Sequence, residues 1–307
     1  MVFRVLASDP LAAEAVVAMR GAGLEVDEKP DLSPERLKAE IAAYDAIVVR
    51  SATKLRAEIL DGATRLKLIV RAGVGLDNVD VEHAVAKGIE VRNTPAASSN
   101  SVAELALGHI LSLARHIGRG TASMKSGRWE KKGLVGIEID GKTLGIVGIG
   151  RIGQLLAKKA DALGMRVLCQ DAYLAESPIP EIAPRVDLGQ LLSESDFISL
   201  HIPFDPALGP TIGAAEIAKM KDGVRIVNCA RGGVIDEEAL AAAMVSGKVA
   251  GAALDVFESE PPGGDHPILA MEAVSLTPHV GASTVEAQAR VGAEAVQIVI
   301  DFAARTG

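Results

Sequence analysis

A hydrophobic run, Thr143–Val147, leads directly into Gly148-Ile149-Gly150-Arg151-Ile152-Gly153, and an acid, Asp171, closes the next apolar run. Each glycine answers a separate demand. The first permits a tight strand-to-helix turn, the second lets backbone approach a pyrophosphate, and the third lets the helix pack on the strand. A helix opening at Arg151 would aim its first amides at phosphate oxygens. A glycine turn alone also occurs for purely structural reasons. Here the strand before it, the helix after it and the acid beyond form the context in which the pattern reads as a dinucleotide site. Its position constrains the fold equally: the first glycine is residue 148 of 307, so another folded unit must come first.

The preceding stretch supplies that unit. Phe3–Ser8, Ala46–Arg50, Leu66–Ala72 and Ile89–Asn93 read as strands, alternating with helical stretches near 10–22, 33–43, 55–61 and 80–87. Such alternation implies a parallel sheet with helices on both faces. Residues 99–126, free of proline, read as one long helix. The alternation then resumes, with strands expected at Thr143–Val147, Arg166–Gln170, Phe197–His201, Arg225–Asn228, Gly251–Val256 and Val274–Thr277. The closing helical stretch, Thr284–Ala304, is too short to be a domain and is expected to return to the first unit. The expected fold is therefore α/β with two doubly wound parallel-sheet domains. The first is discontinuous, residues 1–97 and 283–307, and the second covers 98–282.

Composition narrows the class. A hydrophobic content of 49% suffices for two cores, and a net charge of -8 argues against a general nucleic-acid binder. The two cysteines, Cys169 and Cys229, lie in apolar strand-like runs, which suits a reducing cytosol. No apolar stretch reaches the length of a membrane span, and the N-terminus lacks a secretion signal. The expectation is a cytoplasmic protein with no membrane or nucleic-acid partner. No Cys/His/Asp cluster has metal-ligand spacing, so no metal is expected.

Three segments put chemically useful groups at strand ends: Asn228-Cys-Ala-Arg231, Glu258-Ser-Glu260 and Thr277-Pro-His279. Strand ends of this kind line the ligand crevice of a doubly wound sheet. Arginine is a planar clamp for a carboxylate. Histidine takes a hydroxyl proton as hydride leaves, and a hydrogen-bonded glutamate fixes its tautomer. An arginine, a carboxylate and a histidine from these segments thus suit oxidation of an alcohol beside a carboxylate. Taken singly, each has a plain structural alternative. Asp171 would hold the ribose hydroxyls and repel a 2′-phosphate, and neither Ala172 nor Tyr173 is an arginine, which favours NAD as cofactor.

With these residues in view, the chain resembles the NAD-dependent D-2-hydroxyacid dehydrogenases. The resemblance is carried by Val49-Arg50-Ser51-Ala52-Thr53, Arg71-Ala-Gly-Val-Gly-Leu-Asp77-Asn78, the glycine turn, Asn228-Cys-Ala-Arg231-Gly-Gly, Ala253-Leu-Asp255-Val-Phe and Pro278-His279-Val-Gly-Ala-Ser-Thr284. It implies a Rossmann NAD-binding domain inserted into a flavodoxin-like substrate-binding domain. It implies pyrophosphate contacts at Gly148, Gly150, Arg151, Ile152 and Gly153, and nucleotide contacts at His201 and Pro203. It implies Arg231 as the carboxylate-binding arginine, Glu260 as the histidine's partner and His279 as the acid/base, while Asp255 would hold the nicotinamide amide, with Cys229, Ala230, Gly281 and Ala282 lining the pocket. Gly73 and Val74 would offer backbone amides to the substrate carboxylate. A homodimer is implied as well.

Within that family the chain looks most like the branch that oxidises 3-phospho-D-glycerate to 3-phosphohydroxypyruvate, the first step of serine synthesis. A phosphorylated substrate needs cations beyond Arg231, and Arg50, Ser51 and Arg71 are the expected substrate residues at strand ends of the first domain. Lys125, Arg128, Lys131 and Lys132 around Trp129 form a basic cluster that is either a further anion contact or a solvated loop. Two alternatives stay open. One is a glyoxylate/hydroxypyruvate reductase or another D-2-hydroxyacid dehydrogenase. The other is an NAD(H)-sensing corepressor-like binding protein of the same fold. Many phosphoglycerate-oxidising relatives continue into serine-binding domains where this sequence stops, which suggests a short form or a cut chain.

Overall fold

The computed structural model describes residues 2–306; Met1 and Gly307, the outer ends of the expected first domain, lie outside the described residues. The chain divides into two compact units, Met1–Ser98 with Ala282–Gly307, and Ser99–Gly281.

The first unit is a five-stranded parallel sheet. Its elements are β1 (Arg4–Ala7), α1 (Ala13–Gly21), β2 (Glu25–Glu28), α2 (Pro34–Glu40), β3 (Ala46–Val49), α3 (Ala57–Leu60), β4 (Leu68–Arg71), α4 (Val81–Ala86) and β5 (Glu90–Asn93). The strand order β2-β1-β3-β4-β5 is the flavodoxin-like one, and its direction of winding reverses between β1 and β3. Every residue of β3 is buried, as a central strand covered on both faces requires. β2 escaped the reading of the sequence for a physical reason. It is an edge strand, Glu-Val-Asp-Glu, in which only Val26 is buried, so no apolar run marks it. The helix starts are encoded locally. Ser33 accepts from Arg36 N with Pro34 at the first helical position, and Asp80 accepts from His83 N. The closing helix, Val285–Thr306, buries Ala287, Val291, Ala295, Val299 and Phe302 along one face. That face joins the core of Val5, Val48 and Val70.

Asp45, at the mouth of β3, anchors this unit. It accepts from Arg65 Nε at 2.8 Å and Nη2 at 2.6 Å, and from the backbone N of Arg4 at 2.9 Å. Burial alone would raise its carboxyl pKa, but the Arg65 and Arg4 hydrogen bonds outweigh it and hold the value below the usual range. A depressed carboxylate stabilises the folded state fully above its unfolded pKa, about 3.9, and loses that contribution as pH falls through the lower folded value. Asp45→Asn is expected to cost about 2 kcal/mol, the size of charged hydrogen bonds lost from a buried site. Urea unfolding at pH 7 and pH 3 checks it: the gap between variant and wild type should narrow at the lower pH.

The second unit is a six-stranded sheet, also parallel. It contains α5 (Ser99–Arg115), α6 (Ile117–Lys125), β6 (Thr143–Val147), α7 (Arg151–Ala162), β7 (Arg166–Gln170), α8 (Leu188–Glu194), β8 (Phe197–Leu200), α9 (Ala214–Lys219), β9 (Val224–Asn228), α10 (Glu237–Val245), β10 (Val249–Leu254) and β11 (Val274–Leu276). The order is β11-β10-β9-β8-β6-β7. Beyond β7 the chain adds one parallel bridge, Cys169 to Arg185, closed by Cys169 N to Pro184 O and Val186 N to Cys169 O. Counting that bridge as a vestigial strand, the order is that of the Rossmann fold, with the reversal between β6 and β8. The single long helix expected over 99–126 is instead two. His116 takes the left-handed conformation, φ 53°, and ends α5 before α6 begins. No helix among the described residues is long and apolar enough to cross a membrane.

Candidate functional site

At the reversal point of the second unit, β6 ends in the glycine turn. Gly148 has φ +94°, a region that suits glycine, and a Cβ there would strike the carbonyl of His201. A Cβ on Gly153 would strike the carbonyl of Gly148, so α7 sits directly on the turn. Gly150 caps α7 with no side-chain hydrogen bond, and space is open where its side chain would be. The first amides of α7, from Arg151 and Ile152 on, therefore face an approach that a phosphate group fits. Asp171 accepts from Ile149 N at 3.0 Å, Tyr173 N at 2.9 Å and Leu174 N at 3.2 Å. A carboxylate has about four acceptor positions, so Asp171 braces the turn and keeps capacity for a ribose hydroxyl. Arg185 was missed in the sequence. The bridge to Cys169 brings its guanidinium to 3.3 Å from the Asp171 carbonyl oxygen, although the two residues are far apart in the chain.

Three further segments leave one edge of the same sheet. Asn228, Leu254 and Leu276 are level across β9, β10 and β11, so the loops after them start side by side. After β9, Asn228 shapes the turn: its Nδ2 donates to Arg231 O at 2.8 Å and its Oδ1 accepts from Ala230 N at 3.0 Å. The Arg231 guanidinium donates to Ala230 O at 2.6 Å. After β10, Asp255 is 1% exposed. Its Oδ1 accepts from Thr277 Oγ1 at 2.6 Å and Val280 N at 2.8 Å, and its Oδ2 accepts from Gly281 N at 2.9 Å. Asp255 thus holds the loop that follows β11.

That loop carries His279, whose backbone adopts φ 53°. Its Nδ1 lies 2.7 Å from Glu260 Oε2. Glu260 in turn accepts from Phe257 N at 3.2 Å. A second, largely buried pair steadies this segment, unlike the exposed His279–Glu260 pair: Glu237 meets His266 Nε2 at 2.8 Å and accepts from Glu258 N at 2.8 Å. Glu260 and His279 are the polar wall of a cavity of about 390 Å³ whose other sides include Phe257, Leu269, Leu276 and Pro278. The structure brings Glu260, His279 and Asp255 together there. Arg231 stands on the neighbouring strand end and is not a wall of that cavity.

The remaining expected contacts divide. His201 Nε2 lies 2.9 Å from Ser199 Oγ, and its buried Nδ1 has no hydrogen-bond partner in the structure. Loss of hydration pushes its pKa down to about 4, so the ring is neutral near pH 7. Pro203 is exposed nearby. Cys229 is buried in the core of the second unit, and burial pushes its thiol pKa up, which makes it a packing group rather than a nucleophile. Gly281 ends the second unit, whereas Ala282 falls in the first, where its carbonyl accepts from Gln288 Nε2 at 2.8 Å. In the basic cluster Trp129 is 78% exposed and Arg128 pairs with Glu130 at 2.8 Å. Among the described residues no three His, Cys, Asp or Glu side chains stand together as a metal would need.

In the first unit, the reversal point between β1 and β3 is held by Asp9. It accepts from Arg50 N at 2.5 Å and Thr53 Oγ1 at 2.7 Å, and Asn78 Nδ2 donates to the carbonyls of Arg50 and Thr53. Ser51 lies in this loop, exposed. Arg50 follows Val49, which is level with Arg71 on β4, so the two arginines occupy neighbouring strand ends. The Arg71 guanidinium lies over Gly73, and Asn93 Nδ2 donates to Val74 O at 2.5 Å. Asp9 and Asn93 were missed because a lone acid or amide after a strand carries no local signal.

The tight seat of α7 makes a test. Gly153→Ala is expected to raise the dissociation constant for NADH on the order of tenfold, about 1.4 kcal/mol, by forcing the helix off the turn. Fluorescence titration of the folded variant checks it, and unchanged affinity would remove the turn from the cofactor site.

Comparison with known proteins agrees with this geometry. Residues 107–281 match the model of the D-isomer specific 2-hydroxyacid dehydrogenase NAD-binding domain. The chain is 52% identical to a hydroxypyruvate reductase of Thermotoga maritima, covering 96% of each chain. It is 45% identical to a D-3-phosphoglycerate dehydrogenase of Archaeoglobus fulgidus, over 98% of this chain and 57% of that one, so it spans little more than half that relative's length. The crystal structure of a glyoxylate reductase from Paecilomyes thermophila superposes with a TM-score of 0.89 at 31% identity, covering 97% of this chain and 94% of that one. The glycine turn at the Rossmann reversal point and the family match together establish that this chain belongs to the NAD-dependent D-2-hydroxyacid dehydrogenases.

Proposed function

We propose that this chain interconverts a small 2-oxo acid and its D-2-hydroxy acid with NAD(H), and that hydroxypyruvate or glyoxylate is its oxo substrate. The observation that carries the reading is the His279–Glu260 pair, 2.7 Å apart in a small, largely apolar cavity. In the reducing direction, protonated His279 gives its proton to the substrate carbonyl oxygen. Glu260 stabilises the imidazolium and fixes the ring, and Arg231 pairs with the substrate carboxylate. Bound NADH would supply the hydride to C2. In the oxidising direction His279 takes the hydroxyl proton instead. Asp171 supports NAD over NADP, although the Arg185 guanidinium, 3.3 Å from the Asp171 carbonyl oxygen, is a cation that a 2′-phosphate would recruit. The hydroxypyruvate reductase of Thermotoga maritima, alike over nearly the whole of both chains, supports this substrate class.

A second reading, oxidation of 3-phosphoglycerate, draws on Arg50 and Arg71 at neighbouring strand ends of the first unit. The homodimer is also a proposal, supported by the exposed Ile117, Met124, Trp129 and Val135 on α6 and the segment after it.

Steady-state rates separate these readings. NADH with hydroxypyruvate, glyoxylate and 3-phosphohydroxypyruvate should be compared side by side, then repeated with NADPH. The expected order puts hydroxypyruvate or glyoxylate above the phosphorylated acid, and NADH above NADPH. A larger kcat/KM for 3-phosphohydroxypyruvate would install the second reading, with Arg50→Ala then raising its KM most. Binding of NADH without turnover of any of the three would favour a sensing role. His279→Ala is expected to lower kcat by about 10²–10⁴-fold, the usual range for acid/base catalysis, and an unaltered kcat would reject His279.

A further inference from the structure

We propose that His109, on α5, is a positioning residue for His279, acting through Thr277 and Asp255; the proposal rests on the acid/base reading of His279. His109 is 3% exposed, yet both ring nitrogens are engaged. Nδ1 lies 2.9 Å from Ser275 Oγ and Nε2 lies 3.1 Å from Thr277 Oγ1. The two hydroxyls belong to β11 and the first residue after it, the segment that leads into His279.

The hydrogens can be assigned by elimination. Thr277 Oγ1 donates its only hydrogen to Asp255 Oδ1 at 2.6 Å, so it can only accept from His109. Nε2 must therefore carry a hydrogen. Burial favours the uncharged ring and pushes its pKa down, against the weaker upward pull of Asp255. A neutral ring with hydrogen on Nε2 leaves Nδ1 an acceptor, so the single hydroxyl hydrogen of Ser275 is shared between that nitrogen and Ser112 Oγ, to which Ser275 donates at 3.1 Å. The neutral imidazole is thus a one-way connector: it receives a hydrogen at Nδ1 and gives one at Nε2.

What this connector fixes is the direction of the Thr277 hydroxyl. With His109 donating to its oxygen, Thr277 turns its hydrogen to Asp255. Asp255 then receives Val280 N and Gly281 N, while its own carbonyl receives His279 N at 2.8 Å. Those three amides set the backbone of residues 279–281, including the left-handed φ of His279. A ring with its hydrogen on Nδ1 would face the Thr277 oxygen with a lone pair and release that hydroxyl. Asp255 and Glu260 are the acids facing this assembly, one from the loop after β10 and the other across the cavity.

The test measures kcat, KM for the oxo acid and the NADH dissociation constant. It uses whichever of hydroxypyruvate and 3-phosphohydroxypyruvate the wild type reduces. His109→Leu is expected to lower kcat on the order of 10–100-fold by misplacing His279, with NADH affinity unchanged. His109→Gln, whose amide can both donate and accept, should restore most of the loss. In a Thr277→Val background, His109→Leu should cost nothing further, because the two act in series. An unchanged kcat, a loss that Gln does not rescue, or multiplying effects of the two variants would overturn the proposal. Should His109→Leu fail to fold, Thr277→Val alone carries the same expectation, and normal kcat in it is equally decisive. His279→Ala separates the two layers. If it collapses kcat while His109→Leu does not, only the positioning role fails. If it leaves kcat intact, the acid/base reading fails first.

Discussion

A carboxylate buried at the end of a strand, with its oxygens turned to backbone amides of the next loop, is the interaction on which the site depends. Asp255 is the clearest case: three donors from a single loop converge on it, and the loop carries His279 in a conformation that a non-glycine residue seldom adopts. Burying such an acid is costly unless it is fully hydrogen-bonded. The loop therefore cannot relax without exposing the acid to an unsatisfied interior, and the acid cannot be buried without ordering the loop.

The same device recurs at Asp9, buried after β1, which holds the Arg50–Thr53 loop; Asp171, after β7 and only half-buried, holds the glycine turn and its own following residues in the same way. All three acids leave the carboxyl ends of parallel strands, where a doubly wound sheet exposes loops rather than helices to ligands. Parallel sheets bury their strands on both faces, so precision at these ends must come from polar groups rather than from further packing. The two units solve this problem independently and alike.

How far the sequence could be read follows from this division. Both parallel sheets were legible, because buried strands such as Ala46–Val49 are uninterrupted apolar runs. The glycine turn was legible because steric demand selects glycine residue by residue, as the clashes at Gly148 and Gly153 illustrate. Two edge elements were not: β2 is mostly acidic, and the strand at Arg185 is a single bridge. The break at His116 was hidden as well, since no glycine or proline marks it. At the site, strand-end placement put a glutamate and His279 near each other, and the family resemblance singled out Glu260. Their supports could not be found in this way, because His109 and Glu237 acquire meaning only from partners brought in by the fold. His109 in particular reads as an ordinary helical residue until Ser275 and Thr277 are seen against it.

The closing helix has a consequence for the order in which the molecule is made. Its buried stripe of Ala287, Val291, Ala295 and Val299 completes the core formed by Val5, Val48 and Val70. A ribosome delivers the second of those halves only after the first, with the whole of Ser99–Gly281 made between them. The dinucleotide-binding unit, continuous in sequence, can reach its native state while the first sheet still lacks a helix on one face. The nascent chain thus carries an open apolar surface while Ser99–Gly281 is made, and the helix Val285–Thr306 is what retires it.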